Sequence, residues 1–140
     1  MLYGWNKIKL NFITWILEKL ARNEIISIAT NQINSPTFVK NLAEILLKLI
    51  EKNAKGIYHT SGSAALSRFE MVLKCADIFE YDKNLGVPIE YIKQQAIRPK
   101  NVGLDITKLK KHLDLMPKIG FKEGLKETLG WFMENKVELA

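Results

Sequence analysis

Apolar residues recur at helical spacing over several stretches of the chain, separated by short runs of strand character. From Asn11 to Arg22 the positions Phe12, Ile13, Trp15, Ile16, Leu17 and Leu20 form one stripe, with Glu18, Lys19 and Arg22 left for solvent, which predicts an amphipathic helix. Asn23 ends it. Glu24 to Thr30, rich in Ile with polar interruptions, suits a short strand running into the turn-prone segment Asn31 to Ser35, and the loop after that strand is the first place to look for a ligand.

Ser35-Pro36 reads as a helix start, because a Ser oxygen can take an orphan N–H and Pro loses nothing at the first helical position. The helix it predicts runs to about Lys52, apolar at Phe38, Val39, Leu42, Ile45, Leu46, Leu49 and Ile50. Gly56 to Thr60 has strand character, and Ser61-Gly62-Ser63 breaks it. Ser67-Arg68-Phe69-Glu70 is a capping box, opening a helix that buries Phe69, Val72, Leu73, Ala76 and Phe79. Leu85 to Ile97 is expected to be irregular, with Gly86-Val87-Pro88 as a break. Asp105 then caps a short helix to about Leu113, and a last helix runs from Phe121 to Lys136 with Leu125, Leu129 and Phe132 on its apolar side. Three short strands and five helices are expected, an α/β pattern with too few strands for a free-standing doubly wound sheet. No repeat or low-complexity linker divides residues 1–140, so a single domain is expected.

Composition narrows the reading. Of 140 residues, 47% are hydrophobic and 26% charged, as in one soluble globular unit. Lys plus Arg number 21 against 15 for Asp plus Glu, a formal charge of +6 spread along the chain, which favours an anionic small ligand over nucleic acid. The single Cys75 cannot form an intrachain disulfide, and no apolar run is long enough to span a bilayer, so a reducing, cytoplasmic setting without membrane contact is expected. The opening Met-Leu-Tyr-Gly-Trp-Asn has the character of a chain starting inside a larger fold.

Four local runs, in order, carry a resemblance. They are Leu2-Tyr3-Gly4 followed by Asn11-Phe12; Gln32-Ile33-Asn34-Ser35-Pro36-Thr37 leading into Leu42-Ala43; Gly56-Ile57-Tyr58-His59 with Ser67-Arg68-Phe69-Glu70; and Arg98-Pro99-Lys100-Asn101-Val102-Gly103-Leu104-Asp105 before Lys108-Leu109. Together they cover nearly the whole chain, which resembles the C-terminal, substrate-binding half of the dTDP-4-dehydrorhamnose reductases, members of the extended short-chain dehydrogenase/reductases. The resemblance implies reduction of the C4 ketone of dTDP-4-dehydro-L-rhamnose to dTDP-L-rhamnose by NADPH. It also implies an N-terminal Rossmann half that holds the cofactor, and a Tyr-x-x-x-Lys pair as proton source.

The departures from that pattern bear on activity. The glycines at 4, 56, 62, 86, 103, 120, 124 and 130 include no trio spaced for a dinucleotide turn, so neither a cofactor-binding nor a catalytic residue is assigned. Tyr3 and Lys7 have the catalytic spacing, but Gly4 between them reads as a strand end entering a loop. Met1 stands where the family usually has Trp near the sugar, Asn34 where it has Gly, and Asn41 where it has Asp.

Four residues are candidates for substrate binding. Gln32, Ser35 and Thr37 lie on a loop feeding a helix, where short side chains and backbone N–H groups suit phosphate or sugar oxygens; the plainer alternative is a cap and loop surface. Arg98, stiffened by Pro99, fits a diphosphate bidentately or is a surface cation. His59 lacks a Ser, Cys or carboxylate at motif spacing and reads as structural; His112 reads as solvated. Cys75 has no second Cys or His at metal spacing, so no metal ligand is assigned. Trp5 is a possible ligand contact, whereas Trp15 and Trp131 read as packing residues.

The expectation is therefore a substrate-binding half, inactive alone, that binds no cofactor by itself. Its partners would be a nucleotide sugar, a separate Rossmann-domain chain, or a second copy covering exposed edges. A noncatalytic sugar-nucleotide-binding or regulatory module is the alternative.

Overall fold

The computed structural model describes residues 1–6, 8–90 and 99–135. Among the described residues, seven short strands, against the three expected, and five α-helices follow one another as β1 (Leu2–Tyr3), α1 (Phe12–Ala21), β2 (Ile26–Ala29), β3 (Ile33–Asn34), β4 (Thr37–Phe38), α2 (Val39–Glu51), β5 (Leu66–Ser67), α3 (Arg68–Ile78), β6 (Gly86–Ile89), β7 (Asn101–Val102), α4 (Thr107–Leu113) and α5 (Phe121–Asn135), with a 3₁₀ turn at Lys83–Leu85. This is the mixed α/β, helix-rich architecture the pattern predicts. β1 pairs in parallel with β4, and β2 in parallel with β6. β3 is the middle of a third sheet, antiparallel to β5 and parallel to β7.

Helices α1, α3 and α5 pack on one another around the core. Ile13, Ile16, Leu17 and Leu20 come from α1, and Met71, Val72, Cys75 and Ala76 from α3; Leu125 comes from α5, and Tyr3, Ile26, Ile28 and Phe38 from the strands. α1 starts where its capping chemistry sets it. The Asn11 side chain accepts from the Ile13 and Thr14 N–H groups at 3.0 and 3.2 Å, while the Asn11 N–H donates to the Thr14 hydroxyl at 2.8 Å. Asn23, at φ 53°, closes that segment in the left-handed region, as its position after the stripe predicts.

Tyr3 is wedged between Phe38 and Phe121, with ring centroids 5.5 and 5.4 Å away, and its hydroxyl donates to the Phe121 carbonyl at 3.4 Å. Gly124 permits this, since a Cβ there would lie 2.3 Å from the Tyr3 oxygen. Burial pushes the Tyr3 phenol well above its ordinary range. A Tyr held in this way serves packing, and Lys7 lies outside the described residues.

Four local expectations are corrected. Ser35-Pro36 does not start α2. Thr37 and Phe38 first pair with β1, and the helix begins at Val39 without a side-chain cap, because the Ser35 hydroxyl and the Thr37 N–H are taken by distant backbone partners. Gly56 to Thr60 forms no strand. It lies along α4, held by Lys108, which donates to the Ile57 carbonyl at 2.7 Å and sits over the Tyr58 ring at 4.5 Å. Gly86 to Ile89, expected to be irregular, is strand β6. Its partner β2 is its single neighbour among the described residues, and such an edge tolerates the missing N–H of Pro88. Asp105 sits one position ahead of the α4 cap, Ile106, and accepts from the Thr107 N–H at 2.8 Å. The remainder of the 85–97 segment, from residue 91, lies outside the described residues.

Asn41 explains one departure from the family pattern. It is 2% exposed; its amide donates to the Ile119 carbonyl at 2.7 Å and accepts from the Ile119 N–H at 3.0 Å, so both edges are used. A carboxylate could serve only the N–H. Asn41→Ala leaves both Ile119 groups unpaired and is expected to lower stability by about 2–3 kcal/mol, read from urea unfolding; a loss below about 0.5 kcal/mol would show that water replaces the amide.

Candidate functional site

Ser35 and Thr37 are buried, and both hydroxyls are engaged with backbone. The Ser35 oxygen accepts from the Leu104 N–H at 3.0 Å. Thr37 donates to the Ser35 carbonyl at 3.2 Å and accepts from the Gly62 N–H at 3.1 Å. The Met1 amino group donates to the same Ser35 carbonyl at 3.0 Å, and the Thr37 N–H donates to the Met1 carbonyl at 2.7 Å. Gly62 admits no side chain here, because its Cβ would stand 2.0 Å from the Pro36 carbonyl oxygen. These residues are thus a junction that brings residues 1–3, 61–63 and 101–105 around the β3–β4 segment.

Gln32 is half-buried at the edge of that junction. Its carbonyl accepts from the Arg68 N–H at 3.0 Å, and the next residue, Ile33, donates to the Lys100 carbonyl at 2.7 Å. The backbone therefore joins Gln32 to the start of α3 on one side and to the segment after Pro99 on the other. Arg98, the fourth sequence candidate, lies outside the described residues.

Beside this junction is a cleft of about 410 Å³, lined by Leu10, Asn11, Phe12, Trp15, Ile28 and Arg68. The Phe12 and Trp15 rings lie nearly parallel, 21° apart with centroids 5.8 Å apart. The Arg68 guanidinium carbon is 5.1 Å from the Phe12 ring centroid, a cation–π distance. Arg68 stands at the first position of α3, and Trp15 was read from sequence as packing alone. The sequence signal for both was available: Arg68 is one residue into the capping box, and Phe12 and Trp15 are three apart on one helix.

The remaining polar groups divide clearly. His59 is exposed and its Nδ1–H donates to the Asp105 carbonyl at 3.2 Å, tying the 56–60 segment to the approach of α4. His112 is exposed. Cys75 is buried, and burial pushes its thiol far above the usual range. Trp5 packs edge-on against Phe132. Among the described residues no cluster of His, Cys, Asp and Glu could hold a metal ion, and no helix is long and apolar enough to cross a membrane.

The fold and this junction can be set beside known proteins. The family model for the RmlD substrate binding domain matches residues 1–133. The chain belongs to the RmlD substrate-binding domain family. Methionine adenosyltransferase 2 subunit beta of Xenopus tropicalis is 35% identical over 107 residues, covering 72% of this chain and 32% of that protein. A dTDP-4-dehydrorhamnose reductase of Aggregatibacter actinomycetemcomitans is 27% identical over 121 residues, covering 76% and 41%. Among solved structures, the dTDP-4-dehydrorhamnose reductase of Bacillus anthracis in complex with NADP superimposes with a TM-score of 0.79 at 29% identity, over 95% of this chain and 46% of that one. The dTDP-glucose 4,6-dehydratase of the same organism, at 16% identity and TM-score 0.81, shares the fold. This RmlD substrate-binding domain thus spans about a third to a half of the length of the relatives it matches.

The start of α3 carries a pH signature. The Ser67 N–H donates to the Glu70 carboxylate at 2.7 Å and the Glu70 N–H donates to the Ser67 hydroxyl at 3.1 Å. The Ser67 backbone N–H, then its hydroxyl, hold the Glu70 carboxyl below its ordinary range. Because the folded pKa is the lower one, the stabilisation is complete above the unfolded value and is lost as pH falls through the folded value. Wild type is therefore expected to be more stable than Glu70→Gln at pH 7, with the gap closing as pH falls below the ordinary glutamate range. A gap constant down to pH 3 in denaturant titrations would show that the charge contributes nothing.

Proposed function

We propose that this domain binds the nucleotide-sugar substrate of an NADPH-dependent dTDP-4-dehydrorhamnose reductase, the hydride-donating cofactor being held by a separate Rossmann half. The observation that carries the reading is the family match over residues 1–133, on a fold shared with a reductase over 95% of this chain. The residues present do not fit the dinucleotide. Among the described residues, the two places where a strand runs directly into a helix, β4 into α2 and β5 into α3, carry Thr37-Phe38 and Ser67-Arg68 in place of glycines that let a pyrophosphate approach. No step of hydride transfer is therefore assigned to this chain, which by this reading is inactive alone.

Within the reading, Gln32 and Arg98 contact the ligand directly, while Ser35 and Thr37 act by holding the loop that carries Gln32. Calorimetric titration is expected to give binding of dTDP-L-rhamnose and no heat from NADPH. Gln32→Ala should weaken the sugar nucleotide about five- to tenfold, and Arg98→Ala about ten- to a hundredfold, the range for a neutral and a charge-assisted hydrogen bond respectively. Failure of the wild-type chain to bind dTDP-L-rhamnose would overturn the reading, and NADPH binding would overturn the account of the missing glycines.

A second reading, a noncatalytic interaction module, is favoured by α2. That helix buries only Asn41 and Ile45, and leaves Val39, Ala43, Leu46, Leu47 and Ile50 along one exposed stripe, with Leu47 61% and Ile50 76% exposed. The similarity to a methionine adenosyltransferase subunit supports the same reading. The occupant we favour is a second copy: an antiparallel α2 pair buries both stripes and sets Lys40 and Lys48 of one helix near Glu51 and Glu44 of the other. Sedimentation is expected to show a dimer that Leu47→Glu converts to monomer; a wild-type monomer at high concentration would end this reading.

A further inference from the structure

A groove of about 480 Å³ runs beside α2, between the helix and the segment that follows α4. Ile45, 5% exposed, lies at its floor, and Leu115 and Met116 form its outer wall. That wall is held at both ends. Asp114, at φ 52°, turns the chain out of α4, and Ile119 is pinned to α2 by its two hydrogen bonds with Asn41. Pro117 restricts the backbone between them. The groove is therefore built into the fold, yet Met116 is 49% exposed. We infer that the groove is a socket for Leu47 of a second copy of this chain, each Leu47 seating against Ile45, Leu115 and Met116 of the other. This rests on the reading of α2 as a self-association surface, and adds to it the knob, the socket and the register.

Position and charge carry it. Leu47 stands at the edge of the exposed α2 stripe, on the flank that lines the groove, so a ridge and a groove adjoin on one helix. Two such surfaces, turned antiparallel about a two-fold axis, fill one another. The groove's rim carries both signs, with Glu44 and Lys48 on α2 and Lys118 across from them. Lys48 is bridged to Glu51 at 2.7 Å on the exposed face, which leaves Glu44 with no ion pair among the described residues. In an antiparallel pair, the register that sets each Lys48 opposite the other copy's Glu44 also brings each Leu47 level with the other copy's Ile45. The charge match and the apolar match thus fall at one register, and the symmetry satisfies each of them twice. A partner helix of a single charge sign would meet a like charge on this rim.

Cysteine cross-linking of the whole chain reads the register directly, because Cys75, its single cysteine, is buried. Mixed Leu47→Cys and Met116→Cys chains are expected to form their intermolecular disulfide at least tenfold faster than Leu47→Cys does with Ile8→Cys, a collision control at a residue 96% exposed. In sedimentation, Met116→Glu should weaken the dimer at least tenfold, whereas Met116→Leu should leave it intact. Glu44→Lys should also weaken it, and adding Lys48→Glu to the same chain should restore part of the loss. If Met116→Glu does not fold, the cross-linking rates decide the matter. A dimer that Leu47→Glu dissociates, but whose Leu47→Cys and Met116→Cys chains link no faster than the control, overturns the socket and leaves the α2 pairing standing. A wild-type chain that stays monomeric at high concentration overturns both.

Discussion

Two buried hydroxyls, those of Ser35 and Thr37, help to hold together parts of the chain that are far apart in sequence. Leu104 and Gly62 each place a backbone N–H on one of them, and Met1 pairs with the same turn through its backbone. A backbone donor buried without a partner costs about 1–3 kcal/mol, so each hydroxyl both fixes a segment and removes a penalty. The short strands depend on this arrangement. β1 and β4 pair over two residues only, as do β3 and β7, and strands of that length are not stable by themselves. Held by the junction, they bring the β3–β4 loop, the start of α3 and the segment after Pro99 into one wall.

Behind the wall, the helices supply the mass. α1 and α3 meet through aliphatic faces around Ile16, Leu20, Val72 and Cys75, while α5 closes the far side through Leu125 and the Tyr3–Phe38–Phe121 aromatic group. The two kinds of interaction have different jobs. Apolar burial provides most of the stabilisation but is not directional, whereas the hydrogen-bonded junction selects which loops lie side by side.

What the sequence revealed and what it concealed follow this division. Apolar spacing and cap signals together located the five described helices, although α2 buries only Asn41 and Ile45 and α4 only Leu109, and local capping chemistry located the start of α3 at Ser67 to within a residue. Capping misled at Ser35, where the same residue type is claimed by Leu104 from far along the chain. Strand pairs of two residues carry no period to detect, and Gly86-Val87-Pro88 reads as a break until β2 is seen beside it. Resemblance brought out the loop residues Gln32, Ser35 and Thr37. The Phe12–Trp15–Arg68 cleft was not legible as a unit, although each residue's local signal was available, because its lining comes from the start of α1, from β2 and from α3.

The same separation bears on how one fold can serve both a reductase and a subunit of another enzyme. The 35% identity to a methionine adenosyltransferase subunit and the 27% identity to a reductase fall on a chain whose core and junction require only apolar faces and a few short polar side chains. Neither requirement refers to hydride chemistry. Gln32 and Arg68 are half-buried beside the junction, and the α2 stripe is a separate exposed surface. Substitution on either surface alters what the domain binds while leaving untouched the hydrogen bonds that position it. A domain held together in this way can lose or change its catalytic context and still present a folded binding surface.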